Sequence, residues 1–186
     1  VRLPEIIDEI IFKPLIFIAP VIIYLKQKKL LSFTKLGLTN KNWRVILGWG
    51  LGFGLLLVFE NIFVWILKGR NILSFEIIAG QLLIVLMTTL GTAISEELLY
   101  RGFILEQIWK SYQKPVLAIC LSTLLFTLGH LSIAVFVLNQ TGWQLVSYLL
   151  LISVMGFAEG FVYTQSRSVY ASIIVHLLWN LSNSIF

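Results

Sequence analysis

The stretch that decides the fold is Ile77–Gly102, IIAGQLLIVLMTTLGTAISEELLYRG. From Ile77 to Ile94 it contains no Asp, Glu, Lys, Arg or His. That run is close to the ~20 apolar residues a helix needs to cross the hydrocarbon core of a bilayer. Directly after it stand Glu96, Glu97 and Arg101. Charges in such a place require water or one another, and intramembrane ionisable residues are functional hypotheses by default.

Outward from this stretch the composition points the same way. Of 186 residues, 58% are hydrophobic and 12% charged, the latter about half the usual share. Six apolar spans follow one another, Ile10–Leu25, Trp43–Leu67, Ile77–Leu99, Val116–Leu138, Trp143–Tyr163 and Val169–Phe186. The expected fold is all-α, a polytopic transmembrane helical bundle of about six spans, with residues 1–186 forming a single integral-membrane domain. No repeat or low-complexity segment interrupts it. Gly102–Trp109 reads as an amphipathic stretch, Lys110–Pro115 as a turn, and Pro115 as the first turn of the next helix. The single cysteine, Cys120, excludes a disulfide framework and reads as a small core residue.

The net charge of +5 resides between spans, a topology signal that argues against nucleic acid as a partner. Lys26, Lys28, Lys29, Lys35, Lys41, Arg44, Arg101, Lys110, Lys114 and Arg167 fall on one side, and Arg2, Lys13, Lys68 and Arg70 on the other, ten against four. The richer side is expected to be cytoplasmic, with both chain ends outside. Glu5, Asp8 and Glu9 near the start argue against a cleavable signal peptide.

Within the spans, Glu97 and Arg101 are i,i+4 neighbours with the acid first, the favourable order, and are expected to form a bidentate pair. Glu96, about 100° round the helix, is then an unpaired carboxylate suited to general base catalysis. Both histidines of the chain, His130 and His176, fall inside apolar spans. Asn180 lies one turn beyond His176 and faces the same space. A carboxylate, two imidazoles and an amide on three helices supply the parts for acyl hydrolysis: a base for water, a second proton carrier and oxyanion donors. Glu159, between Gly156 and Gly160 on a close-packing face, reads as a structural partner for Arg101 or Arg167. Glu60 and Asn61 read as helix-to-helix hydrogen bonding, and Trp43, Trp109 and Trp143 as interfacial residues.

Three blocks, EELLYR (Glu96–Arg101), FTLGH (Phe126–His130) and HLLWN (His176–Asn180), resemble in order the EExxxR, FxxxH and HxxxN/B motifs of the CPBP family. These are the CAAX-protease and bacteriocin-processing intramembrane proteases, also called Abi. About 30 and 45 residues separate the blocks, and the resemblance covers roughly residues 80–182, the expected catalytic core. It implies that Glu96 and His130 activate water, that His176 and Asn180 stabilise the oxyanion, and that Glu97 and Arg101 position and balance charge. Members typically have more than six spans, which suggests N-terminal truncation. The family has been described both as metalloproteases and as metal-independent glutamate proteases. Glu96, His130 and His176 are the candidate ligands if Zn is used. No HExxH occurs, and a ligating carboxylate is not free to act as base, so a Glu/His-activated water is preferred.

The expected function is that of an intramembrane endopeptidase acting on a prenylated, lipidated or membrane-embedded peptide, by CAAX-type or leader and bacteriocin processing. Its partners are membrane lipid and a peptide or protein substrate. It is expected to be multi-pass, in the plasma membrane if prokaryotic, with a cytoplasm-facing cavity. A non-catalytic self-immunity or scaffold protein of this fold and a proton-coupled transporter are the alternatives. One geometric conflict stands out. At 1.5 Å per residue His176 lies ~10 Å from the inner end of its span and His130 ~22 Å from Pro115. Glu96 sits close to the inner end of span three, and a third span continuing past Arg101, or a tucked-in Gly102–Trp109 segment, would bring all three to one depth.

Overall fold

A computed structural model describes residues 5–67, Gly69 and residues 79–185. Arg2, Lys68, Arg70 and the first residues of the third apolar span lie outside them. The described residues are predominantly helical and none of them forms a strand: α1 (Glu5–Ile7), α2 (Lys13–Gln27), α3 (Trp43–Leu67), α4 (Ala79–Glu97), α5 (Glu106–Tyr112), α6 (Pro115–Ser132), α7 (Gly142–Ser166) and α8 (Val169–Ile185). Wide π-helical segments, Asp8–Phe12, Leu98–Leu105 and Ile133–Val137, join α1 to α2, α4 to α5 and extend α6.

Four continuous helices are long and apolar enough to cross a membrane: Trp43–Leu67, Gln81–Tyr112, Pro115–Val137 and Gly142–Ser166. The other two apolar spans give α2, of 15 residues, and α8, of 17 residues. The N-terminal helix carries Asp8, Glu9 and Lys13, and α8 is packed between α3, α4 and α7. The four long helices stay largely unburied within the bundle, exposing Leu56, Phe59, Phe63, Leu128, Phe136 and Val154. On a membrane protein such surface is the lipid face. Cys120 is exposed on α6, not in the core. It sits on a different helix face from Ala118, Ile119 and Ser122, which point inward.

The third span is longer than its hydropathy suggests. It runs unbroken from Gln81 to Tyr112 over 32 residues, because Glu96, Glu97 and Arg101 are satisfied by other helices and need not reach the headgroups. Arg101, counted among the linker cations by sequence, is therefore fully buried. The helix stops where expected: Gln113 turns left-handed (φ 55°), Lys114 is extended and Pro115 opens α6.

Two features resolve the depth conflict: the third span continues past Arg101, one of the two arrangements expected, and the connection after α2 recesses α8. A 3₁₀ turn at Thr34–Leu36 is folded under the bundle. The Gly37 carbonyl accepts the Val169 amide at 2.9 Å, and Ser168 Oγ donates to the Thr39 carbonyl at 2.7 Å. Ser168 also caps α8, accepting the Tyr170 N–H at 3.3 Å. Gly37, at φ 72°, would drive a Cβ to 2.8 Å from the Tyr163 ring, and a Cβ on Gly102 would meet the Leu36 carbonyl at 2.7 Å. Helix α8 thus starts recessed, beside Gly102. From there His176 is ~10 Å along α8 and Glu96 ~9 Å back along its own helix, so the two meet.

Candidate active site

Arg101 organises the buried centre. Its guanidinium lies 2.7 Å from Glu97 Oε1 and 2.7 Å from Glu159 Oε2, donates to the Gly156 carbonyl at 3.0 Å and stacks 4.5 Å over the Phe126 ring. The bidentate Glu97 pair expected from sequence is instead a bridge between two carboxylates. Gly156 makes the approach possible, since a Cβ there would stand 3.1 Å from Phe126 and 3.4 Å from the guanidinium. The Phe of the second motif block is the packing partner of this cation. Its ring also lies 4.5 Å from that of His130 and edge-on to His176 at 6.2 Å.

His176 reaches this centre with Nδ1, 2.8 Å from Glu97 Oε1 and 3.2 Å from Glu159 Oε1. A carboxylate only accepts, so Nδ1 carries hydrogen and Nε2 points the other way. His130 is oriented in the same sense: Nδ1 donates to the Phe126 carbonyl at 2.9 Å, which leaves Nε2 free for chemistry. Between the two rings lies Glu96 Oε2, 3.8 Å from His130 Nε2 and 3.9 Å from His176 Nε2. That oxygen is buried and has no hydrogen-bond partner among the described residues.

The other oxygen, Oε1, is not free. Lys13 Nζ donates to it at 3.1 Å. The expectation that Glu96 is unpaired is corrected here: the charge that balances it comes from the first helix, which is remote in sequence. Lys13 is also displaced from the set of topology-determining cations, since it lines the site. Its signal in the sequence was Glu9–Lys13, an acid-to-base i,i+4 pair at the edge of an apolar run, the same pattern as Glu97–Arg101.

Glu96, His130, His176 and Asn180 line one cavity of about 390 Å³, together with Lys13, Thr92, Tyr148 and Asn183. Its walls come from the start of α2, the last turns of α4, the end of α6, the first half of α7 and the last half of α8. These helix ends lie away from the basic linkers. By chain position the cavity thus lies in the half of the bundle opposite the linkers that hold most of the basic residues. Glu159 pairs with Arg101, as one of its two expected partners, but also touches His176. Asn61 makes its interhelical bond, to Ser182 Oγ at 2.6 Å, and Glu60 is exposed.

Among the described residues, Glu97, Glu159 and His176 place one ligand atom each within 4.8 Å of one another and could hold a metal ion. The fit to a catalytic metal is poor. The Arg101 guanidinium already supplies the positive charge between the two carboxylates, and all three residues are buried. A catalytic zinc needs an open position. In the set expected from sequence, Glu96 Oε2 lies 3.8 Å from His130 Nε2 and 3.9 Å from His176 Nε2. The Lys13 ammonium on Glu96 also opposes a divalent cation there.

The family model of the type II CAAX prenyl endopeptidases, Rce1-like, matches residues 78–182. The chain belongs to this family. The match covers the three motif blocks, α4 through most of α8 and the four principal cavity residues. No curated protein and no solved structure matches the chain. With four membrane-length apolar helices, this Rce1-like chain is an integral membrane protein of the CAAX-type intramembrane endopeptidases.

Proposed function

We propose that this chain hydrolyses a peptide bond of a prenylated, lipidated or membrane-embedded peptide with a water activated by Glu96 and His130. The observation that carries this reading is the Glu96 Oε2 atom, buried, unpartnered and faced by two imidazole Nε2 atoms on the wall of a cavity. A gap of 3.8 Å is too long for a direct hydrogen bond. One water hydrogen-bonded at ~2.8 Å to both groups fits it with an angle of about 85° at its oxygen.

The chemistry follows from these positions. The water oxygen attacks the scissile carbonyl carbon while its proton passes to Glu96 Oε2 or His130 Nε2. The carbonyl oxygen becomes the oxyanion and takes hydrogen bonds from His176 Nε2–H and the Asn180 amide. Arg101 balances one of the Glu97 and Glu159 carboxylates, and an imidazolium at His176 balances the other, which gives Nε2 its hydrogen. Glu97 therefore holds the oxyanion donor through Nδ1, a more specific role than charge balance. The proton taken from water then moves to the leaving nitrogen, and the C–N bond breaks, releasing an acid and an amine. Residues 80–182 form the catalytic core within one integral-membrane unit under this reading.

The test is proteolysis in membranes of a prenylated CAAX-type peptide and a panel of leader peptides, with wild type, Glu96→Gln and His130→Ala. Cleavage by wild type and its loss in both variants is expected. Cleavage that survives either substitution at the wild-type rate rejects the mechanism.

A further inference from the structure

We infer that Lys13 is a positioning residue for the hydrolysis, supplied to the site by the N-terminal helix, which lies outside the 78–182 stretch that carries the family motifs. The inference rests on the reading of Glu96 as the base and extends it to the group that aims it.

The contact is part of a closed four-residue ladder between two helices. Lys13 Nζ lies 3.1 Å from Glu96 Oε1 and 2.6 Å from Glu9 Oε2. The same Glu9 oxygen accepts the hydroxyl of Thr92. Glu9 and Lys13 are one turn apart on the first helix, as Thr92 and Glu96 are on α4, so each rung matches one turn against one turn. Gly91 lets the helices come this close, because a Cβ there would stand 2.9 Å from the Glu9 carbonyl oxygen. The π-helical segment Asp8–Phe12 widens the helix at this level, a feature frequent at functional sites.

The consequence for Glu96 is directional. A carboxylate has two oxygens and can turn about its terminal bond. With Oε1 held by the ammonium, Oε2 is left facing His130 and His176. Without Lys13, Glu96 could turn either oxygen to the histidines, or pair directly with one of them and fill the water's place. Glu9 and Thr92 in turn hold Lys13 against Glu96 and out of the remaining cavity. Lys13 and Thr92 line the same cavity as the histidines.

The experiment uses the full chain in lipid vesicles with a farnesylated CAAX-type peptide as probe, comparing wild type, Lys13→Met, Lys13→Arg and Glu96→Gln. Misaimed catalytic groups lose on the order of 100-fold in rate. Lys13→Met is expected to lower kcat by about that factor with KM within about twofold, and Lys13→Arg to recover most of the loss. A Lys13→Met enzyme with wild-type kcat overturns the inference. So does a rise in KM at unchanged kcat, which would make Lys13 a substrate-binding group. A folded Lys13→Arg enzyme as slow as Lys13→Met overturns it too. Thermal unfolding of the single variants and of Lys13→Met/Glu96→Gln gives a readout without substrate. Non-additive shifts are expected, and additive ones reject the pair. If wild type cleaves no peptide while the shifts are non-additive, the proposed function fails and the pairing survives. If wild type cleaves and Glu96→Gln does not, while Lys13→Met does, only the present inference fails.

Discussion

Replacing Arg101 with Met removes a guanidinium that two buried carboxylates share. Glu97, Glu159 and Arg101 are each 0% exposed, with both ion-pair distances at 2.7 Å. Breaking a buried pair by deleting one partner costs about 3–5 kcal/mol, because the remaining charge is left unsolvated. Here two carboxylates are left, with His176 as their remaining close partner, so the upper part of that range applies. For a chain of this size 1 kcal/mol corresponds to roughly 2–4 °C in unfolding temperature, so about 4–5 kcal/mol gives a drop of roughly 8–20 °C. The Gly156 carbonyl would lose its guanidinium donor as well. Removing one of the stranded acids should return part of the loss: Arg101→Met/Glu159→Gln is expected to be more stable than Arg101→Met by about 1–3 kcal/mol, the coupling range for groups in direct contact. Thermal unfolding in detergent, followed by circular dichroism, measures all three variants. An Arg101→Met protein that melts with wild type, or a double variant less stable than Arg101→Met, would refute the shared-cation account of this centre.

Other outcomes follow from the same geometry. Asn180→Ala should lower kcat by about 10²–10³ with little change in KM, as for loss of one oxyanion donor, read in the vesicle cleavage assay. Incubation with a strong chelator, then added Zn²⁺, should leave the cleavage rate unchanged; a loss restored by the metal would favour a metalloprotease. Gly102→Ala should destabilise by about 1–3 kcal/mol through overpacking against the Leu36 backbone, visible as a lower melting temperature; wild-type stability would mean that the Thr34–Leu36 turn is not wedged there. In a Cys120→Ser background, Asn183→Cys on the cavity wall and Gln113→Cys at the α5–α6 turn should be labelled from opposite sides of sealed vesicles by an impermeant thiol reagent. Labelling of both from one side would refute the placement of the cavity in the basic-poor half.

Much of the chemistry was legible from local spacing. Glu97 and Arg101 at i,i+4, and His176 and Asn180 at i,i+4, put each pair on one helix face before any fold is known. Two histidines confined to apolar spans marked where polar groups must converge. For Glu159 a pair with Arg101, a pair with Arg167 and a place on the cavity wall were all open from sequence, and the structure selects Arg101. Charge counting along the chain was less informative. It assigned Arg101 and Lys13 to opposite membrane surfaces, although both are withdrawn into the bundle. Such a count sees position along the chain and cannot see a partner on another helix.

The sequence by itself determined that the chain is a membrane-spanning helical bundle and which ionisable residues its spans carry, since both depend on interactions within a single span or a few turns of one helix. Only the tertiary structure decided depth and pairing. The Thr34–Leu36 turn recesses α8 so that His176 meets Glu96, and Lys13 crosses from the first helix to take one oxygen of that carboxylate. These contacts join residues 83 positions apart in one case and more than 130 in the other. No helical periodicity encodes such distances. They are fixed by close backbone approach at Gly37, Gly91 and Gly102, and by the requirement that each buried charge find an opposite one.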